Sequence, residues 1–366
     1  MAKHIKKTHG GLDYSKLKER GLNPEEIIDF SVSINPYPVH ESIIRAVRSC
    51  SLIRYPDSSA LDLREKIAER ENCSVNEILA VNGTSQGIHL IGEAFLNEET
   101  TALIAAPAYS QYKNISRLKK SNIIELKCTP ETMFTHSIEE ITSTIKIIRP
   151  KIFWLCNPNN PTGNYIDKTK MKLIQQSALE SGTIVVLDEA YVAFTREELR
   201  FRDISTNILR LNSMTKDYGI PGLRLGYIHG ERELLKKISD YQPEWSLSAP
   251  AQQAGIACLE EREYYSRTWK DVKEECERFR EKLKLLGLHV LETESNFFMV
   301  KLGDRENVSD GTGFASLLQR ELDPKMMQIR DCSSFGYPDY IRIGVHSREN
   351  NDKLIQAIRE AVHIWG

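Results

Sequence analysis

Between about residues 75 and 230 the chain alternates short apolar runs with stretches whose apolar residues recur every three or four positions. The runs TALIAA (101–106), IFWLC (152–156), GTIVVLDEAY (182–191), NILRLNS (207–213) and LRLGYIHG (223–230) are nearly continuous, as in strands covered on both faces. The segments 85–97 and 168–181 have helical spacing. This pattern predicts an α/β domain around a mainly parallel sheet, with its ligand site at the carboxyl ends of the strands.

Past the Pro/Ser/Ala-rich corner at Trp245–Pro250 the pattern changes. Trp269, Val272, Cys276, Phe279, Leu283 and Leu286 fall at 3,4 spacing, which predicts a long amphipathic helix capped at Gly287. The runs HVLET, NFFMVKL and YIRIGVHS and a helix through Ile355–Ile364 complete a smaller α+β lobe. A chain of 366 residues exceeds what one core usually covers. The expected division is an arm packing with the small domain (1–40), a large α/β domain (41–255) and the small domain (256–366).

A net charge of -2, with Lys and Arg scattered among Asp and Glu, argues against a nucleic-acid partner. The seven cysteines lie far apart, without C-x-x-C pairs or Cys/His clusters, so reduced thiols and no metal site are expected. MAKHIKKTHGG lacks the apolar core of a signal peptide, and no apolar run nears the ~20 residues that span a bilayer. A soluble cytoplasmic protein that does not enter membranes is the expectation.

Chemistry concentrates at the ends of the strands. In SMTKDYGIPGLRLGY, Lys216 follows a strand, with Ser213 three residues before it, Thr215 adjacent and Arg224 eight residues after it. An amine can condense with an aldehyde while hydroxyl and guanidinium hold a phosphate; the same residues also suit a surface lysine beside a glycine turn. Asp188 ends the strand of LDEAY, where a buried carboxylate can keep a pyridine nitrogen protonated or cap a helix. Tyr191 and Asn160, the latter in CNPNNPTGNY, can hydrogen-bond a ring hydroxyl. Gly83, Thr84 and Ser85 open a helix whose amides can bind phosphate. Tyr109 of PAYSQY can stack on a flat ring or fill the core.

These five elements, in this order and spacing, resemble the fold-type I (class I/II aminotransferase) enzymes that use pyridoxal 5'-phosphate (PLP). The resemblance implies a large domain with a mainly parallel sheet, a smaller α+β domain, and PLP bound to Lys216. RYPD (54–57) resembles the histidinol-phosphate aminotransferase branch, which implies that Tyr55 reaches the partner's cofactor phosphate in a homodimer. THGG, IIDFSVSINP, TKDYGIPGLRLGY, EWSLSAPA and IRDCSSFGYPDYIRIGVHS are more similar still to the threonine-phosphate decarboxylases of cobalamin biosynthesis, nearly end to end. That similarity implies that His9, Arg330 and Arg342 hold an anionic amino acid substrate, with Ser33, Asn35 and Asn160 beside it. Arginine suits such anions, although surface arginines are also common. Leu12 and Ser33 stand where the family pattern has asparagine, in the part expected to meet the substrate.

Which bond at Cα breaks depends on which is held perpendicular to the cofactor ring. The first expectation is decarboxylation of an O-phospho-amino acid, threonine phosphate or serine phosphate, to an amino-alcohol phosphate. The second is transamination of a phosphorylated or aromatic amino acid. A non-catalytic sensor built on the same fold is the third; such proteins usually carry a DNA-binding domain, for which no room is expected before His9.

Overall fold

The computed structural model describes residues 10–203, 206–303 and 313–365. It divides into two compact units. Of the described residues, one unit comprises those in Tyr37–Asn160 and Asn164–Lys270; the other comprises those up to Pro36, Pro161–Gly163 and those from Asp271.

The larger unit is built on a seven-stranded sheet: β1 (Ile78–Val81), β2 (Thr101–Ala106), β3 (Asn122–Lys127), β4 (Ile152–Cys156), β5 (Ile184–Asp188), β6 (Ile208–Ser213) and β7 (Gly226–Gly230). Their order across the sheet is β1-β7-β6-β5-β4-β2-β3. Neighbours from β6 to β3 pair in parallel, while β7 runs antiparallel to both β6 and β1. The carboxyl ends of the other strands therefore share one edge, and β7 begins at that same edge. This is the sheet that the apolar runs predict.

Both faces of the sheet are covered, which is why most of the runs do not alternate with polar residues; β6, which carries Arg210 and Asn212, is an exception. Ile104, Trp154, Val186 and Leu211 pack on one side with Ile88, Ile91 and Phe95 of the helix Gly83–Phe95. Leu103, Phe153, Val185 and Leu187 pack on the other with Ile141 and Ile145 of one helix and Met171 and Ile174 of the next. Each such side chain, fully removed from water, contributes about 1.5–3 kcal/mol. The helix Lys168–Ser181 starts where the Asp167 carboxylate accepts from the amides of Thr169 and Lys170, and stops at Gly182, a start and stop legible in the sequence.

The smaller unit contains an antiparallel sheet in the order Arg330–Asp331, Tyr340–Gly344, Phe297–Lys301, His289–Val290. The helices Phe314–Leu322 and Arg348–Trp365 belong to it, and Ile28–Asp29 pairs in parallel with Met327–Gln328. A Cβ on Gly344 would lie 2.1 Å from the Val32 carbonyl oxygen, so only glycine lets the segment around Ser31–Ser33 lie against this strand. Among the described residues, no helix is long and apolar enough to cross a membrane.

Candidate active site

At the carboxyl edge of the large sheet one pocket collects side chains from five segments. Thr84, Ser85, Tyr109, Asn160, Asp188, Tyr191, Ser213, Thr215, Lys216 and Arg224 all line it. Every one was proposed from the sequence. Gly83 stands at the start of the helix with φ +70°, and a Cβ there would approach Arg224 Nη2 to 2.8 Å. The chain thus turns from β1 into the helix against the guanidinium, in a conformation that favours glycine.

Asp188 ends β5 and is 4 % exposed. No α-helix starts there; a short 3-10 turn follows at Val192–Phe194. One carboxylate oxygen accepts from the Ala190 amide at 3.0 Å and the other from the Tyr112 hydroxyl at 2.6 Å. Burial pushes the carboxyl above the usual aspartate range, while these two bonds and the charge of Lys216 pull it down. A cation placed against Asp188 would favour its ionised form further.

Lys216 lies in the short helix Met214–Asp217 that follows β6 directly. The Ser213 and Thr215 hydroxyls are 2.7 Å apart, and Ser213 Oγ also accepts from the Thr215 amide. Arg224 has φ +55° just before β7 and donates to the Pro221 carbonyl. The Ser85 and Tyr109 hydroxyls are 3.4 Å apart.

Three lining residues were not foreseen: Tyr112, Cys156 and Ala190. Tyr112 is fully buried, stacks on Trp154 with centroids 5.3 Å apart, and meets Tyr109 edge-on. Its signal in the sequence is its place three residues after Tyr109 in PAYSQY, which turns both rings to one side of a helix. Cys156 ends β4, and burial pushes its thiol well above the ordinary range.

The other predicted positions lie elsewhere. Ser33, Asn35, Arg330 and Arg342 are buried in the smaller unit. Arg330 and Arg342 sit opposite each other on neighbouring strands. Arg342 donates to the Ser31 carbonyl at 2.7 Å and lies over the Phe297 ring; Arg330 donates to Ser334 Oγ and lies over Phe335. Burial, then the charge of Arg342, holds the Arg330 guanidinium below its usual range. The Ser33 hydroxyl is buried without a hydrogen-bond partner. Tyr55 is 79 % exposed and leans on Trp245 with centroids 4.8 Å apart. His9 lies outside the described residues.

The donor set at the large-unit pocket fits PLP. It offers hydroxyls and a guanidinium for a phosphate, an amine for an aldehyde, a buried carboxylate for a ring nitrogen, and an aromatic ring for a flat face. Comparison with known proteins agrees. The family model described as aminotransferase class I and II matches residues 25–358. The chain is 33% identical over 353 residues to histidinol-phosphate aminotransferase 2 of Archaeoglobus fulgidus, covering 93% of this chain and 96% of that protein. It is 31% identical over 362 residues to the adenosylcobalamin biosynthesis bifunctional protein CobDQ of Leptospira interrogans; this covers 95% of the chain but only 40% of that longer protein. The crystal structure of L-threonine-O-3-phosphate decarboxylase from Porphyromonas gingivalis superposes with a TM-score of 0.77 at 25% identity, over 90% of this chain and 98% of that one. A match that spans both units and meets a pocket already suited to PLP leaves one conclusion: the chain belongs to the class I and II aminotransferase family, and it is an enzyme whose cofactor is pyridoxal 5'-phosphate.

Proposed function

We propose that this enzyme decarboxylates an O-phospho-amino acid of the threonine phosphate or serine phosphate type, releasing an amino-alcohol phosphate and CO2. The observation that carries the reading is the pair of buried arginines facing each other in register, Arg330 and Arg342. The charge of Arg342 acts against that of Arg330, and an anion carrying two charges, such as a phosphate monoester, relieves that repulsion. Similarity to proteins named for threonine-phosphate decarboxylation and cobalamin biosynthesis supports the same choice.

Bound PLP would supply an aldehyde for an amine and a ring able to draw electrons from Cα. Asp188 would face a ring nitrogen and favour its protonated form, and Tyr112 fixes that carboxylate. Asn160 and Tyr191 orient the ring through its hydroxyl, and Tyr109 covers a face. Ser213, Thr215, Arg224 and the helix beginning at Gly83–Ser85 hold the phosphate of the cofactor. The Cα–carboxylate bond breaks, CO2 leaves, and Lys216 delivers the proton that takes its place at Cα. Arg330 and Arg342, with Ser33 and Asn35 of the same unit, would hold the anionic group of the substrate, and that hold sets which bond breaks.

Transamination of histidinol phosphate or a related amino acid is the second reading, favoured by the identity to the Archaeoglobus protein. Incubating the holoenzyme with phosphothreonine, phosphoserine and histidinol phosphate, with and without 2-oxoglutarate, separates the two by product mass. CO2 release without a keto acid is the expected result; turnover that demands the keto acid would refute the first reading.

We further propose a homodimer in which Tyr55 meets the partner's cofactor. Leu52, Ile53 and Tyr55 are all strongly exposed in the single chain, an apolar patch that a second copy can cover. A holoenzyme that sediments as a monomer would exclude it.

A further inference from the structure

Beneath the strand that leads to Lys216 lies a second cavity of about 240 Å³, against 110 Å³ for the pocket of Lys216, and the two have no lining residue in common. It follows from the alternation along β6. Leu209 and Leu211 face the helix-covered core, so Arg210 and Asn212 face the opposite side, where they line the cavity.

Its walls are unusually rich in one charge. Arg70, Arg200, Arg202, Arg210 and Arg262 line it, with Glu71 as the one acid among the lining residues. Arg210 pairs with Glu189 and Glu71, and Arg70 donates to the Tyr218 hydroxyl. Arg200 and Arg202 share Glu197 at the rim. Asp217, beside Arg70, is pushed up to about 7 by burial and is only partly ionised at neutral pH. Among the described residues, the five guanidiniums therefore outnumber Glu71, Glu189, Glu197 and Asp217, the carboxylates that answer them. Asn212 is 7 % exposed, and its side-chain amide nitrogen is buried without an acceptor. A buried donor in this condition costs free energy unless something accepts from it.

We propose that this cavity is a second anion site, built to take a phosphate group carried by a small molecule, with Asn212 donating to it and Arg202 and Arg262 closing on it from the exposed rim. Guanidinium forks match phosphate oxygens in pairs, and the cavity has room for several waters or a small organic body besides the phosphate.

Calorimetric titration of the holoenzyme with glycerol 2-phosphate tests this. The expected result is saturable binding that weakens with salt and drops at least about tenfold in a double variant, Arg202→Ala with Arg262→Ala. Both side chains are exposed, so that variant retains the fold. Asn212→Leu, which removes the amide while keeping the volume, should weaken binding again. Binding that is unchanged in the double variant belongs to another anion site, the Arg330 and Arg342 pair included, and overturns the proposal, as does the absence of saturable binding in the millimolar range.

Discussion

The Tyr112 hydroxyl donates to a carboxylate oxygen of Asp188 across 2.6 Å, with both groups buried and the Tyr112 ring stacked on Trp154. The stack fixes the ring, and the ring fixes the carboxylate. The bond is one of the influences that pull the Asp188 carboxyl down against its burial. In Tyr112→Phe the carboxyl should therefore rise further. Loss of one hydrogen bond to a charged group is worth about 1.5–3 kcal/mol, so turnover should fall about 10- to 100-fold. The acid limb of the rate profile should also move to higher pH. An unaltered kcat/KM profile would show that Tyr112 only fills space.

Among the described residues, Lys216 is the one amine that lines the pocket. Lys216→Ala should remove the visible absorbance of bound PLP and lower turnover by at least about 10²–10⁴, the range of a lost acid–base group. Circular dichroism should stay native, because Lys216 is not part of the apolar core. A yellow, borohydride-sensitive variant would displace Lys216 from this role.

Arg330 and Arg342 should act on substrate binding rather than on the cofactor. Arg330→Ala should raise KM for a phosphorylated substrate by about tenfold or more, the cost of a lost charged hydrogen-bond partner. The affinity for PLP should stay the same. Equal losses with phosphorylated and unphosphorylated substrates would argue against a phosphate contact.

Asp217 gives a pH test of the fold. Burial pushes its carboxyl from the ordinary 3.8 to about 7. Between those values the folded chain keeps a proton that the unfolded chain releases, so stability falls as pH rises across this window. D217N cannot titrate there. The Tm of wild type relative to D217N should be highest near pH 4 and decline toward pH 8, the decline being concentrated around and below pH 7. A constant difference would mean that Asp217 is ionised throughout.

The strands and the site were legible in the sequence for the same reason. A strand buried on both faces is apolar along most of its length, and a polar residue that ends it, such as Asp188 after IVVL, stands out by contrast. The residue types in those segments, together with the family that they resemble, named ten residues that line one pocket.

What needed tertiary structure was every relation across segments. Nothing local sets Tyr112 against Asp188, which is 76 residues away. Nothing local places Arg330 opposite Arg342 either, or turns Arg210 and Asn212 toward Arg70 and Arg262. Periodicity tells which face of an element is buried. Which neighbour that face meets depends on strand order and register, and these come from the packing of the whole chain.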